Sequence, residues 1–268
     1  MKKRDTLKRL AGLVLAAALA ISLVGGTSLP AWTSAEMALA AETATLSGGE
    51  TITESGTYSL ADGATGTVTI STTEAVVIEG SGVSRDDDYV MDCTEYEDLH
   101  FDCTAGADLT LKDAFITNNG TETASLVDFT GSGNRLSIEG TVVLENSGLL
   151  YALVHVGEGT SLTIAGGGTL YLYKYNQAAG IGGDSGELNG DITFSDDDSS
   201  LTFFAKGSKQ GAFIGAGADA ASDTLVPGSI SFVEGTYNLV SVSRGAVIGG
   251  NAGSGGAPDG TTVMWIRR

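Results

Sequence analysis

The chain has 268 residues, with 14 Lys/Arg against 33 Asp/Glu, a formal net charge of −19, and 39 glycines beside three prolines and two cysteines. So acidic a surface repels nucleic acid and anionic membranes, which excludes DNA, RNA and bilayer-surface binding as primary roles. Glycine at about twice its usual share of ~7%, with scarce proline and persistent β-branched runs, excludes collagen and disorder and favours packed β-structure with many tight turns.

Residues 1–40 read as a signal peptide. Lys2, Lys3, Arg4, Lys8 and Arg9 form a basic start, an apolar run extends from Leu10 to about Val24, and Ala38-Leu39-Ala40 supplies the small-x-small pattern of a cleavage site. The expected product is secreted or held at the cell surface, with residues 41–268 as a single domain and no membrane contact beyond the signal peptide. An uncleaved amino-terminal anchor is the alternative, although the apolar run is short for a membrane span.

Short alternating runs begin with Thr67-Val68-Thr69-Ile70 and Ala75-Val76-Val77-Ile78. Each reads as a strand with one apolar face. The acidic turn Asp86-Asp87-Asp88 comes next; turns that gather several carboxylates can bind Ca²⁺, and these three are the candidate ligands. A solvated acidic turn is the alternative, and no other cofactor is expected. Cys93 and Cys103, the only cysteines, each stand in Asp-Cys-Thr and in an exported chain can close a short disulfide loop. Two small buried side chains on neighbouring strands are the competing reading.

From Leu109 the strands come in triplets. Leu109-Thr110-Leu111, Leu136-Ser137-Ile138, Ser161-Leu162-Thr163-Ile164, Asp191-Ile192-Thr193-Phe194 and Ser229-Ile230-Ser231-Phe232 open successive groups. Second strands include Thr141-Val142-Val143-Leu144, Thr169-Leu170-Tyr171-Leu172-Tyr173 and Ser200-Leu201-Thr202-Phe203-Phe204. Third strands align on Val127, Val154, Ile181, Ile214 and Val247, at spacings of 27, 27, 33 and 33. The last three of these lie in Gly-Ile-Gly-Gly, Phe-Ile-Gly-Ala-Gly and Val-Ile-Gly-Gly steps, whose isoleucines fall 33 and 34 residues apart. Recurrence at this period marks units that bury their apolar faces only by stacking. The expected fold is an all-β, right-handed parallel β-helix with about three strands per coil; a β-sandwich is the alternative.

On the strand starting at Thr169, alternation places Leu170 and Leu172 inward and Tyr171, Tyr173 and Tyr175 outward. With Leu201 and Phe203 inward one coil later, Phe204 is expected beside Tyr173. Aromatic rings in a row offer a platform for sugar rings, so these four residues are the candidate glycan-binding site, against a purely structural reading.

These runs and glycine steps resemble the right-handed parallel β-helix proteins of the pectate-lyase-like superfamily, and more narrowly the Gly-Ile-Gly-rich exported bacterial proteins described as carbohydrate-binding. The resemblance covers roughly residues 45–268. It implies the architecture strongly and an activity weakly, because the same coil serves lyases, glycosidases, adhesins and spikes. None of Arg85, Lys112, Arg135, Lys174, Lys206, Lys209 or Arg244 lies in a lyase motif. Gly183-Asp184-Ser185-Gly186 resembles a serine-protease nucleophile loop, yet it occupies a turn after a Gly-Ile-Gly step, and neither His100 nor His155 lies in the matching histidine motif. No catalytic residue is therefore assigned. The expected function is a non-catalytic, exported β-helix that binds polysaccharide or cell-surface glycan; a polysaccharide lyase or glycoside hydrolase, and a purely structural adhesin or stalk segment, are the alternatives.

Overall fold

Four- to six-residue runs with apolar side chains at every second position can bury one face only by stacking. The computed structural model describes residues 43–86, 89–91, 93–118, 124–148, 150–174, 177–195, 202–207, 211–220, 228–233, 238–241, 246–249 and 263–265. Residues 1–40, Asp87, Asp88 and Tyr175 lie outside them. No helix occurs among the described residues, and the strands form three parallel sheets of nine, six and eight strands, a parallel β-helix solenoid. From Asp108–Lys112 onward the chain visits the nine-stranded first sheet, the six-stranded second and the eight-stranded third in turn, giving the expected three strands per coil.

The first coils are simpler. Ala44–Leu46, Gly56–Leu60 and Ala75–Glu79 belong to the first sheet and Thr51–Ile52 and Gly66–Ile70 to the third. The second sheet begins only with Glu95–Glu97, after an antiparallel hairpin formed by Ser84–Asp86 and Tyr89–Met91.

Inside the first sheet a column of apolar residues runs Val76, Leu109, Leu136, Ile164, Phe194 and Phe232 in register, and the backbone of Trp265 takes the next rung. Phe194 and Phe232 stack at 4.7 Å between ring centroids, 8° from parallel. In the third sheet the inward column runs Val68, Phe101, Val127, Val154, Ile181, Ile214 and Ile248. The rung opposite Ile214 is thus Ile248, not Val247, which is 39% exposed. Shifting a strand by one residue exchanges its faces, so this correction decides which side chain is core.

The corners are polar and bonded. At the end of the second-sheet strands, Asn118 and Asn146 stack as consecutive buried rungs, and Lys174 continues the column at 1% exposure. Lys174 Nζ donates to the carbonyls of Gly211 and Ala212, each at 3.1 Å, and lies 5.5 Å from the Phe213 ring centroid. Burial holds its pKa down to about 7. A neutral amine still has two N–H bonds, enough to serve both carbonyls. Asn134, also buried, accepts from the Ala107 amide and donates to the Thr130, Gly131 and Ser161 carbonyls, tying three turns together.

Cys103 is buried on the strand Leu99–Cys103, Cys93 is half-buried, and no disulfide joins them. Burial first, and the charges of Asp102 and Asp128 second, push the Cys103 thiol far above its ordinary range, so it behaves as a small apolar filler.

Candidate functional site

Two outward faces gather the side chains with chemistry. On the second sheet, Glu95, Phe115, Val143, Tyr171, Phe204 and Val240 follow one another in register, and beside them run Glu97, Thr117, Glu145, Tyr173 and Lys206. Tyr171 and Tyr173 alternate with buried Leu170, Leu172 and Lys174, as the dyad period requires. Both tyrosines are half-buried, and Val143, next to Tyr171, has no exposure. The face is less open than alternation alone predicts. Phe204 pairs with Tyr171, and Lys206 stands opposite Tyr173, so the expected Phe204–Tyr173 neighbourhood is replaced by one two residues earlier. Phe203 and Ala205 stand in register with Leu170 and Leu172.

Carboxylates edge the aromatic column. Glu95 Oε1 accepts from Thr117 Oγ1 at 3.0 Å. Burial, then the nearby charge of Glu95, raises the pKa of Glu145, which is in register with Tyr173. Three acids, Glu95, Glu97 and Glu145, and two phenols therefore share this face, a donor–acceptor set suited to hydroxyl groups.

The third sheet holds a denser cluster. Asp102, Asp128 and His155 are consecutive rungs on its outward side, and Gly182 takes the next rung without a side chain. His155 Nδ1 lies 2.6 Å from Asp128 Oδ1, and Nε2 lies 2.8 Å from Glu187 Oε2. Burial alone lowers the basicity of His155, but hydrogen bonds to Asp128 and Glu187 and the charges of Asp184 and Glu187 overturn that and raise its pKa to about 10. The ring is 18% exposed and is an imidazolium bridging two carboxylates at neutral pH.

Asp184 and Glu187 come from the turn after Gly182. The Glu187 amide donates to the Asp184 carbonyl at 2.9 Å, closing a tight turn with Gly186 at φ +86°. Asp184 Oδ1 accepts from the Ala152 amide at 2.7 Å and from Ser125 Oγ at 3.3 Å. Ser125 in turn offers its carbonyl to Nδ1 of buried His100 at 2.8 Å. Burial raises the pKa of Asp184, whereas the hydrogen bond from His155 lowers that of Glu187. Two neighbouring carboxyls are thus pushed apart, the asymmetry an acid–base pair uses, but Glu187 Oε2 is engaged by His155 rather than open to a sugar.

Half of this cluster is legible in sequence. Aligning Val127 with Val154 already stacks Asp128 on His155, because each is the next residue along its strand. The turn that resembles a nucleophile loop supplies Asp184 and Glu187, which no alignment of strands brings to the ring. Asp86, the described member of the candidate Ca²⁺ turn, ends the strand Ser84–Asp86 of the antiparallel hairpin. Beyond the cluster, a groove of about 480 Å³ is lined by Ser132, Glu158, Thr160, Ser161 and Asp191 together with Gly159, Gly190 and Gly228. Comparison of the chain with family profiles, with curated proteins and with solved structures gave no match.

Proposed function

We propose that the protein is an exported, non-catalytic parallel β-helix of the pectate-lyase-like kind that binds polysaccharide or cell-surface glycan through the outward face of its second sheet. The observation that carries this reading is the placement of Tyr171 and Tyr173 on one face, with Glu145 in register beside Tyr173 and Phe204 in register beside Tyr171. Phenol rings give sugars an apolar surface, and the adjoining carboxylate accepts from their hydroxyls. Export rests on the composition of residues 1–40.

Affinity electrophoresis in gels containing neutral or acidic polysaccharides tests the reading. The wild type is expected to be retarded by at least one glycan, and Tyr171→Ala with Tyr173→Ala to weaken that binding by roughly 10–100-fold, since each stacked ring contributes about 1 kcal/mol. Retardation by none of a broad panel, or equal retardation of a double variant with unchanged circular dichroism, would sink it.

A further inference from the structure

We propose that His155, Asp184 and Glu187 bind one divalent cation of the class that accepts imidazole together with carboxylate, for which Zn²⁺ is the defining probe. One nitrogen and two carboxylate oxygens, one from each residue, all lie within 4.8 Å of one another. A tetrahedral ion with bonds of about 2.0–2.2 Å sets its ligands roughly 3.3 Å apart, so small side-chain adjustments bring the three atoms onto one centre. The ion takes the place of the proton shared by Nε2 and Glu187.

The surroundings are built for such an ion. Asp128 Oδ1, 2.6 Å from Nδ1, fixes that nitrogen as the N–H donor and leaves Nε2 for the metal, the outer carboxylate that metal-binding histidines commonly use. The Ala152 amide and Ser125 hydroxyl both engage Oδ1 of Asp184. The Asp184 amide, 3.3 Å from Oε2, steadies Glu187. Space is kept clear by glycine: a Cβ at Gly157 would strike the Glu187 carboxylate and stand 2.9 Å from His155 Nε2. Charge argues the same way, because the three carboxylates of Asp128, Asp184 and Glu187 gather around one imidazole. His155 and Glu187 retain 18% and 36% exposure, which gives an ion a path from solvent and a water for its fourth position. A nitrogen ligand disfavours Ca²⁺ and Mg²⁺, which prefer all-oxygen sites.

This site lies on the third sheet and does not depend on the tyrosine face of the second. Calorimetric titration of the chelator-treated full chain with Zn²⁺ is expected to give one ion per chain. His155→Gln and Asp184→Asn should each lose at least about 100-fold in affinity, and Asp128→Asn, whose carboxylate bonds Nδ1 of the ring, about 10–100-fold. A second measurement needs no variant. His100 and His155 are the only histidines, so Zn²⁺ should shift the imidazole ¹⁵N resonances of one of the two while Ca²⁺ moves neither. Absence of saturable Zn²⁺ binding, undiminished affinity in folded His155→Gln, or unmoved imidazole resonances in zinc-saturated protein each overturn the proposal. Tyr171→Ala with Tyr173→Ala leaves Zn²⁺ binding unchanged, which separates its failure from that of the glycan reading.

Discussion

Lys174 and His155 are bases whose surroundings push them in opposite directions. Lys174 has lost water and gained two carbonyl acceptors, and the burial takes its pKa from 10.5 down to about 7. His155 has gained two carboxylates, which outweigh its burial and lift its pKa from 6.5 to about 10. Between about pH 7 and 10.5 the unfolded chain keeps the Lys174 proton that the folded chain has released, so this residue makes stability rise with pH. Between about pH 6.5 and 10 the folded chain keeps a His155 proton that the unfolded chain has released, so stability falls. One proton changes stability by at most about 1.4 kcal/mol per pH unit. The His155 contribution spans the narrower window, because Asp128 and Glu187 are more than one-third exposed and solvent screening reduces the shift they produce. Urea unfolding with chelator present, at about pH 7 and about pH 9.5, should therefore show a weak rise for wild type. Lys174→Met should turn that rise into a fall, and His155→Gln should steepen it. Parallel pH profiles for all three proteins would refute opposed titrations.

At the scale of the element, the Gly-Ile-Gly step works by close approach of successive coils. Gly182 has φ +136° and Gly215 φ +139°, and a Cβ on either would fall on the carbonyl oxygen of the glycine one coil later, Gly215 and Gly249 respectively. Gly159, at φ +78°, has open space around its missing Cβ. Gly159→Ala should cost only the left-handed backbone, about 1 kcal/mol, whereas Gly182→Ala must also push neighbouring strands apart and should cost about 3 kcal/mol or more. Equal melting temperatures for the two variants would contradict this. The step is legible in sequence because the period repeats it, and so is the inward column that it continues. Spacing alone misplaces Val247 in that column, since Val247 and Ile248 are adjacent and equally apolar and only pairing separates them. Alternation that sends Leu170 and Leu172 inward sends Lys174 inward as well, but the carbonyls that tolerate it lie 37 and 38 residues away. Likewise Asp128 and His155 can be stacked on paper, while Asp184 and Glu187 reach the ring only because the turn after Gly182 folds back. No local pattern encodes that direction.

For the whole molecule, the sheets make each coil touch chiefly the coil before and the coil after, so stability is close to a sum of coil and interface contributions. Ile164 sits in the middle of the first-sheet column, between Leu136 and Phe194, and has no exposure. Ile164→Ala removes contacts on two interfaces and leaves a cavity, a loss of about 2–5 kcal/mol. Among the described residues, Leu46 lies in the first strand of that sheet, with a neighbouring strand on one side only. Leu46→Ala disturbs a single interface and should cost less. The distribution of the damage is the sharper test. If coils are coupled only to neighbours, native-state hydrogen exchange in Ile164→Ala should accelerate first in Asn134–Glu139, Ser161–Ala165 and Asp191–Phe194, and least in Gly56–Leu60. Uniform acceleration in every strand would mean that the solenoid opens as one cooperative block. In that case the His155 cluster, whose residues span the coils from Asp128 to Glu187, would be as stable as the global fold. Under nearest-neighbour coupling it opens with the central coils, and an ion held by His155, Asp184 and Glu187 should protect those coils before the amino-terminal ones.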